Sequence, residues 1–579
     1  MRRFGVSACL LGLSLMASPA AAESVSLVYP PNGHETTAAQ IFLIGTADST
    51  VSVNGTTIQQ SAQGHFAPSF PLQLGENRFT IQTGEATMTL TVIRRPVEVL
   101  PTGVTFAPNS LQPTQDLERL PGESICLSAI APPHSTVTAR LSGQTFTLPP
   151  QPSTAQLPSN AAILTAQNDP IPRTTTHYQT CLTAEQPGDL GQPTYTLTRS
   201  GETLQAAAPG AIAILNPDQR QVIEVTAASG TARTGPSTTY SRLTPLPTGT
   251  RATVTGREGN WLRLDYGAWI NADETRVLPG ATAPPAMIRS LSGQPVTGGT
   301  EIVFPLTAPV PVTVTQGDDT FALTLHNAIA QTDTIWLDDS PLIRRLDWQQ
   351  VNPTTIAYTF HLKTAQQWGY DLRYEGSSLH LLLRHPPQIS GEQLQGLRIV
   401  LDPGHGGAEL GARGPDGTPE KEVNLAVSRQ LKQALEARGA TVLMTRTADV
   451  DLGLRDRMDY IAQQQPDLAL SIHYNALPDN GDAENTAGIG MFWYHPQAHD
   501  LAVFLHNYLV TELDRPSYGV FWNNLALTRP QMAPTILMEL GFMINPEEFE
   551  WVMNPQAQTQ LAQAIAAGLT QWVQQASQP

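Results

Sequence analysis

Along most of the chain apolar and polar residues alternate in short runs, and near Leu397 this pattern gives way to longer blocks with a different period. From about Ser24 to Ile93 the runs VSLVYP, QIFLIG, STVSVNG, NRFTIQTG and ATMTLTVI are separated by glycine and asparagine turns. A period of two bounded by turn residues predicts a small antiparallel sandwich over residues 23–95. A proline-rich linker, Pro96 to Pro113, leads into a second β-rich unit over 114–215, and strand patterns return over 288–390 in TEIVFPL, VPVTVTQ, IAYTFHL and LHLLLRH.

From Leu397 onward strands alternate with segments long enough to be helices. GLRIVLDPG reads as a strand ending in a glycine loop. Thr418-Pro419-Glu420 then starts a helix running to Gly439, with threonine as cap and proline in the first turn. ATVLMTR is a strand, DLGLRDRMDYIAQQQ a helix that must end before Pro466, and DLALSIHYN a strand. GIGMFWYH follows as a strand, then a helix from about Pro496 to Leu513, the strand PTILMELGF and a closing helix from Pro555 to Gln574. The expected fold class is therefore multidomain: N-terminal all-β modules, then a C-terminal α/β domain over 397–579 whose mostly parallel sheet is covered by helices on both faces.

Composition changes this picture in three respects. The 48 prolines and 44 glycines among 579 residues suit short strands, turns and linkers. A formal charge of −17 opposes nucleic-acid binding, which rests on lysine and arginine against phosphate. From Leu397 onward eleven Lys and Arg face twenty-one Asp and Glu, so −10 of that charge sits in the C-terminal part. Third, Arg2 and Arg3, an apolar run from Val6 to Met16 and Ala20-Ala21-Ala22 make residues 1–22 an expected signal peptide. No later segment is apolar and long enough to span a bilayer, so an exported protein of the periplasm or cell envelope is expected. Cys9 would leave with that peptide, and an oxidising compartment favours a bridge between Cys126 and Cys181.

Two strands carrying one cysteine each can pin the sheets of a sandwich together, so 114–215 resembles an immunoglobulin-like module. Residues 219–279 resemble a bacterial SH3 domain, through the turn Arg233 to Ser237, the Gly249 turn and the paired Trp261 and Trp269. There the tryptophans either fill a small barrel core or grip cell-wall peptide. The 288–390 unit resembles the AMIN module found ahead of wall amidases. Residues 23–396 carry no catalytic constellation, which marks these units as spacers and binders.

Four residues of the α/β part stand where chemistry is expected, because in such sheets sites form at the carboxyl ends of strands. His405 follows its strand, His473 ends another, Glu539 lies near the end of PTILMELGF, and Glu420 opens a helix. Taken singly, Glu420 could complement the helix dipole and His473 could be a core histidine. Glu539 inside ILMELGF would be costly to bury without a partner or a chemical task. Two imidazoles, a carboxylate and an open position make a hydrolytic zinc site, and the remaining carboxylate can take the proton.

The same segments resemble the zinc-dependent amidase-3 group of N-acetylmuramoyl-L-alanine amidases. The matching pieces are IVLDPGHGG, GTPEKEVNL, LEARGATVLMTR, RDRMDYIAQQQPDLALSIHYNA and RPQMAPTILMELGFMINPEE, over about 397–575. The resemblance implies Zn2+ held by His405, Glu420 and His473, with Glu539 as catalytic carboxylate and Arg529 as a contact to substrate or transition state. It implies peptidoglycan as substrate, cut between N-acetylmuramic acid and L-alanine, and an activator or other envelope protein as further partner. A zinc peptidase of the stem peptide and a non-catalytic wall binder are the alternatives. Glu409-Leu410-Gly411 replaces the family's Asp-Pro-Gly, and the bulky Tyr474 follows the second histidine. The stretch between His473 and Glu539 is too short for the long blocking helix of some relatives.

Overall fold

The computed structural model describes residues 25–577 apart from 85, 98–100, 153–154, 166–167, 173–175 and 390–392. The expected signal peptide, residues 1–22, lies outside the described residues. The chain is multidomain, with mostly β structure before residue 397 and an α/β domain after it. In the first unit, alternating residues such as Ile41, Val51, Phe66, Ile81 and Val92 close one apolar core. Cys126 and Cys181 are bonded, but the bridge is not the inter-sheet pin expected of an immunoglobulin-like sandwich. Its cysteines face each other directly on Ser124–Ala131 and Thr176–Thr183, two antiparallel neighbours. Directly opposed residues already bring their Cβ atoms to about 4.5–5.5 Å, so the bond needs no second sheet.

The next two units are not separate bodies, because Leu117–Arg119 pairs with Arg251–Glu258 and carries one sheet across both. Trp269 is buried, with the guanidinium groups of Arg119 and Arg263 over its ring. It cannot grip a ligand from there, which settles its part of the sequence-level choice in favour of packing. Between Ala286 and Arg384 a five-stranded and a four-stranded sheet enclose a single core that includes Phe304, Phe321, Tyr358 and Phe360.

The C-terminal domain runs β1 Arg398–Pro403, α1 Glu420–Glu436, β2 Thr441–Met444, α2 Leu454–Gln464, β3 Leu468–Asn475, β4 Ile489–Trp493, α3 His499–Glu512, β5 Ser517–Trp522, β6 Thr535–Phe542, α4 Pro546–Met553 and α5 Pro555–Ala576. Two elements, β5 and α4, go beyond the expected order. Helix α1 takes Pro419 as its cap residue with no side-chain cap, so Thr418 lies one position outside the capping role expected of it. The strand order is β2-β1-β3-β6-β4-β5. Every neighbouring pair is parallel except β4 with β6.

Alternation along the strands sends Leu401, Leu470, Ile472 and Met538 to one face, where they pack with Leu431, Leu505, Leu561 and Ile565 of α1, α3 and α5. On the opposite face Ile461 of α2 covers Val400 and Ala469, with Leu443 and Tyr460 packed beside them. The first β unit is docked on this domain: Phe42, Ile44 and Ala67 share a buried cluster with Ala483, Phe542 and Ile544. Polar ties flank that cluster, since Tyr29 and His34 both hydrogen-bond Asp479 and Gln40 donates to the Asn480 carbonyl at 2.7 Å.

Candidate metal centre

Register brings the first two site residues together. In the parallel pair β3–β6, His473 lies directly opposite Glu539, on the sheet face that carries α2. The β1–α1 loop brings His405, and Glu420 in the first turn of α1 reaches between the two histidines. One Glu420 oxygen is 3.2 Å from His405 Nε2 and the other 3.0 Å from His473 Nδ1. The imidazole rings stand edge to face with centroids 4.9 Å apart.

Two glycines make this closeness sterically feasible. A Cβ on Gly404 would lie 2.1 Å from the His473 ring, and one on Gly411 would lie 2.4 Å from a Glu420 oxygen and 2.6 Å from His405. His405 itself has φ +58°, a left-handed backbone uncommon for a residue with a side chain. Buried arginines hold the loop in that shape. Arg457 pairs with Asp402 at 2.7 Å and donates to the carbonyls of Pro403 and His405. Arg446 donates to those of Pro403 and Gly404. Arg457 and Asp402 are each only 1 % exposed, so breaking the pair would strand a buried charge.

Sequence reasoning passed over both arginines, and over Asn424, whose amide donates to Glu420 at 2.9 Å. Their signal is faint. An arginine on an amphipathic helix looks the same whether it meets water or a buried carboxylate.

Electrostatics divides the two glutamates. Burial would raise the Glu420 carboxyl, but hydrogen bonds from His405 and His473, and their charge, outweigh it and hold the group well below the usual carboxylate range. Burial opposes protonation of His405, yet Glu420 and Glu409 together raise it. Glu539 is pushed well above the ordinary range, first by burial and then by the negative charge of Glu420. One glutamate is thus held as an anion beside two imidazoles while the other is tuned toward proton exchange.

The donor set suits a divalent ion. One ligand atom each from His405, Glu420 and His473 lies within 4.8 Å of the others. Among the described residues, His473 Nε2 and a Glu539 oxygen are buried without a hydrogen-bond partner. Orphaned buried groups of this kind are what a bound ion and its coordinated solvent would satisfy, and two nitrogens with a carboxylate match zinc chemistry.

Arg529 is not brought to this cluster. It precedes the amino end of β6, whereas the cluster stands at the carboxyl ends of β1, β3 and β6. Its guanidinium is held by Asn524 and faces a cleft shared with Arg242, Glu274 and Asp371.

Residues 399–571 match a family model described as N-acetylmuramoyl-L-alanine amidase. Probable cell wall amidase LytH of Staphylococcus epidermidis is 34 % identical over 187 residues, which are 32 % of this chain and 61 % of that protein. LytH of Staphylococcus aureus is 35 % identical over 178 residues, 30 % of this chain and 58 % of its own length. The chain therefore spans about three fifths of the curated relatives it matches. Among solved structures, N-acetylmuramoyl-L-alanine amidase AmiC2 of Nostoc punctiforme is 29 % identical, with 32 % of this chain and 99 % of that one covered at a TM-score of 0.30. Over the segment that carries His405, Glu420, His473 and Glu539, this chain matches the N-acetylmuramoyl-L-alanine amidase family.

Proposed function

We propose that this chain is an exported, zinc-dependent peptidoglycan hydrolase that cleaves the amide between N-acetylmuramic acid and L-alanine. The observation that carries the reading is the convergence of His405, Glu420 and His473 with Glu539 opposite His473 in the sheet. His405, Glu420 and His473 would hold the ion. Bound there, zinc would supply Lewis-acid polarisation of the scissile carbonyl and acidify the attacking water.

The chain's own residues do the rest. Glu539, as a carboxylate with raised proton affinity, takes a proton from the water and returns it to the leaving amine. Asn424 and the backbone N–H groups of Ala412 and Tyr474 hold Glu420 in one orientation. The Arg446 and Arg457 clamp fixes the backbone that aims His405. The upstream β units, read as SH3-like over 219–279 and AMIN-like over 288–390, would keep the enzyme at the wall of the cell envelope.

The test is product analysis of digested cell wall by mass spectrometry. Sugar chains freed of intact stem peptides are expected, whereas shortened stems still attached to muramic acid would mean a peptidase instead.

A further inference from the structure

The docked first unit closes a cavity beside the metal centre. About 320 Å3 of space lies between Tyr29, Phe42 and Ile44 of that unit and, on the α/β side, the segment Leu410–Arg413, Leu477 and Ile544. The α/β wall is continuous with the site. Ala412 N–H donates to a Glu420 oxygen at 2.9 Å, and Gly411 is so close to Glu420 and His405 that it has no room for a Cβ. Leu477 follows β3 directly after the strand that carries His473. The opposite wall is firmly placed, by the shared cluster of Phe42 and Ile44 with Phe542 and by the hydrogen bonds of Tyr29 and His34 to Asp479.

The lining side chains are apolar apart from the Tyr29 hydroxyl, which is taken up by Asp479, and Arg413. Arg413 is exposed and makes no ion pair among the described residues, in a domain that carries a net −10 overall. Of the two halves of the scissile bond, the sugar half is rich in hydroxyls that such a lining would leave unpaired. The peptide half begins with the methyl side chain of alanine and carries carboxylates beyond it. An apolar hollow with one free guanidinium at its wall matches the second half and not the first.

We propose that this cavity is a peptide subsite built jointly by the first β unit and the α/β domain, taking the small apolar side chain next to the scissile amide, with Arg413 pairing a carboxylate further along the stem. The assignment of the peptide as substrate rests on the amidase reading. The first β unit is then part of the substrate site as well as a spacer.

The test uses the full chain, Val28→Trp, since Val28 also lines the cavity from the upstream side, Arg413→Ala, and a stem peptide beginning with L-alanine in free-acid and amidated forms. Two measurements are made: steady-state cleavage of a muramoyl peptide, and calorimetric binding of the peptide alone. Val28→Trp should raise KM and weaken peptide binding by about tenfold with kcat little changed, since a misfit in an apolar pocket costs about 10-fold or more. Arg413→Ala should weaken the free acid by about fivefold, as for one partly exposed charge pair, and leave the amidated peptide unaffected. Wild-type KM and affinity in both variants, with circular dichroism unchanged, overturns the subsite. If the wild type cleaves no muramoyl peptide, the amidase reading fails, and calorimetry still decides: binding lost in Val28→Trp supports the subsite, and no binding to the wild type overturns it.

Discussion

The two faces of the C-terminal sheet are finished differently. One is closed by the domain's own helices, with Leu401, Leu470, Ile472 and Met538 sealed under α1, α3 and α5. The other has only α2 over its β1–β3 half. Beyond that, Phe492 and Leu537 are covered by Leu527 and by Leu164, which reaches over from an upstream β unit and accepts a hydrogen bond from Tyr518. His473 and Glu539 point to this second, partly open face. A sheet packed equally on both sides would leave no room beside these two side chains. Apolar packing by the domain's own helices is concentrated on one face, and the titratable cluster stands on the other, where Leu164 of an upstream unit supplies part of the cover.

The largest expected effect probes the open face. Glu539→Gln should lower amidase activity by about 10² to 10⁴ while metal content stays near wild type, since general acid–base catalysis is worth about that much. Glu420→Gln should instead lose metal and recover partly when zinc is added. Metal analysis beside kinetics checks both. A Glu539→Gln protein that loses its metal while Glu420→Gln keeps it would exchange the two roles.

On the closed face, Leu470→Ala should cost about 2–5 kcal/mol of folding stability in denaturant titration, because a residue with no exposed surface leaves a cavity that the helices cannot fill. A loss below 1 kcal/mol would mean that this face is looser than its packing suggests.

A smaller effect lies at the sheet end away from the site. His495, beside Tyr370 and Tyr494, has its proton affinity lowered to about 4 by burial, against which its hydrogen bond with the Arg529 carbonyl works only partly. A depressed folded value means that the stabilisation is complete above the unfolded value near 6.5 and is lost as pH falls through about 4. Stability should therefore decline by about 3 kcal/mol over that window, at about 1.4 kcal/mol per pH unit. His495→Gln should flatten the decline, and an unchanged slope would place the titration elsewhere.

The smallest effect concerns the borrowed cover. Leu164→Asp should change global stability by no more than about 1 kcal/mol. It should nonetheless speed amide hydrogen exchange along Ser517–Trp522, where the apolar cover of the Leu164 side chain over Phe492 and Leu537 is lost. Unaltered exchange there would show that Leu164 is not needed to cover this face.

Much of the site was legible from residue types and their order. His405 in a glycine loop, Glu420 at a helix start, and His473 and Glu539 near strand ends were all readable, because strand ends and helix starts leave local marks. Arg529 was misplaced by the same logic. Proximity to β6 in sequence says nothing about which end of the strand a residue occupies until the direction and start of that strand are known. The cysteine pair was legible as a pair but not as neighbours in one sheet, since strand order is set by long-range pairing. Tryptophans 261 and 269 looked alike, and only burial between two arginines removed Trp269 from the surface.

By itself, then, the sequence determined the succession of β structure and an α/β domain, and it marked His405, Glu420, His473 and Glu539 as the candidates that the fold brings together, because periodicity and capping are local and act through neighbours a few positions apart. Tertiary structure alone decided that Arg446 and Arg457 brace the His405 loop, that one face of the sheet stays partly open, and that residues near 29 and 44 meet residues near 410 and 544. Those outcomes depend on which distant apolar and charged groups can leave water together, and that choice is made by packing the whole chain.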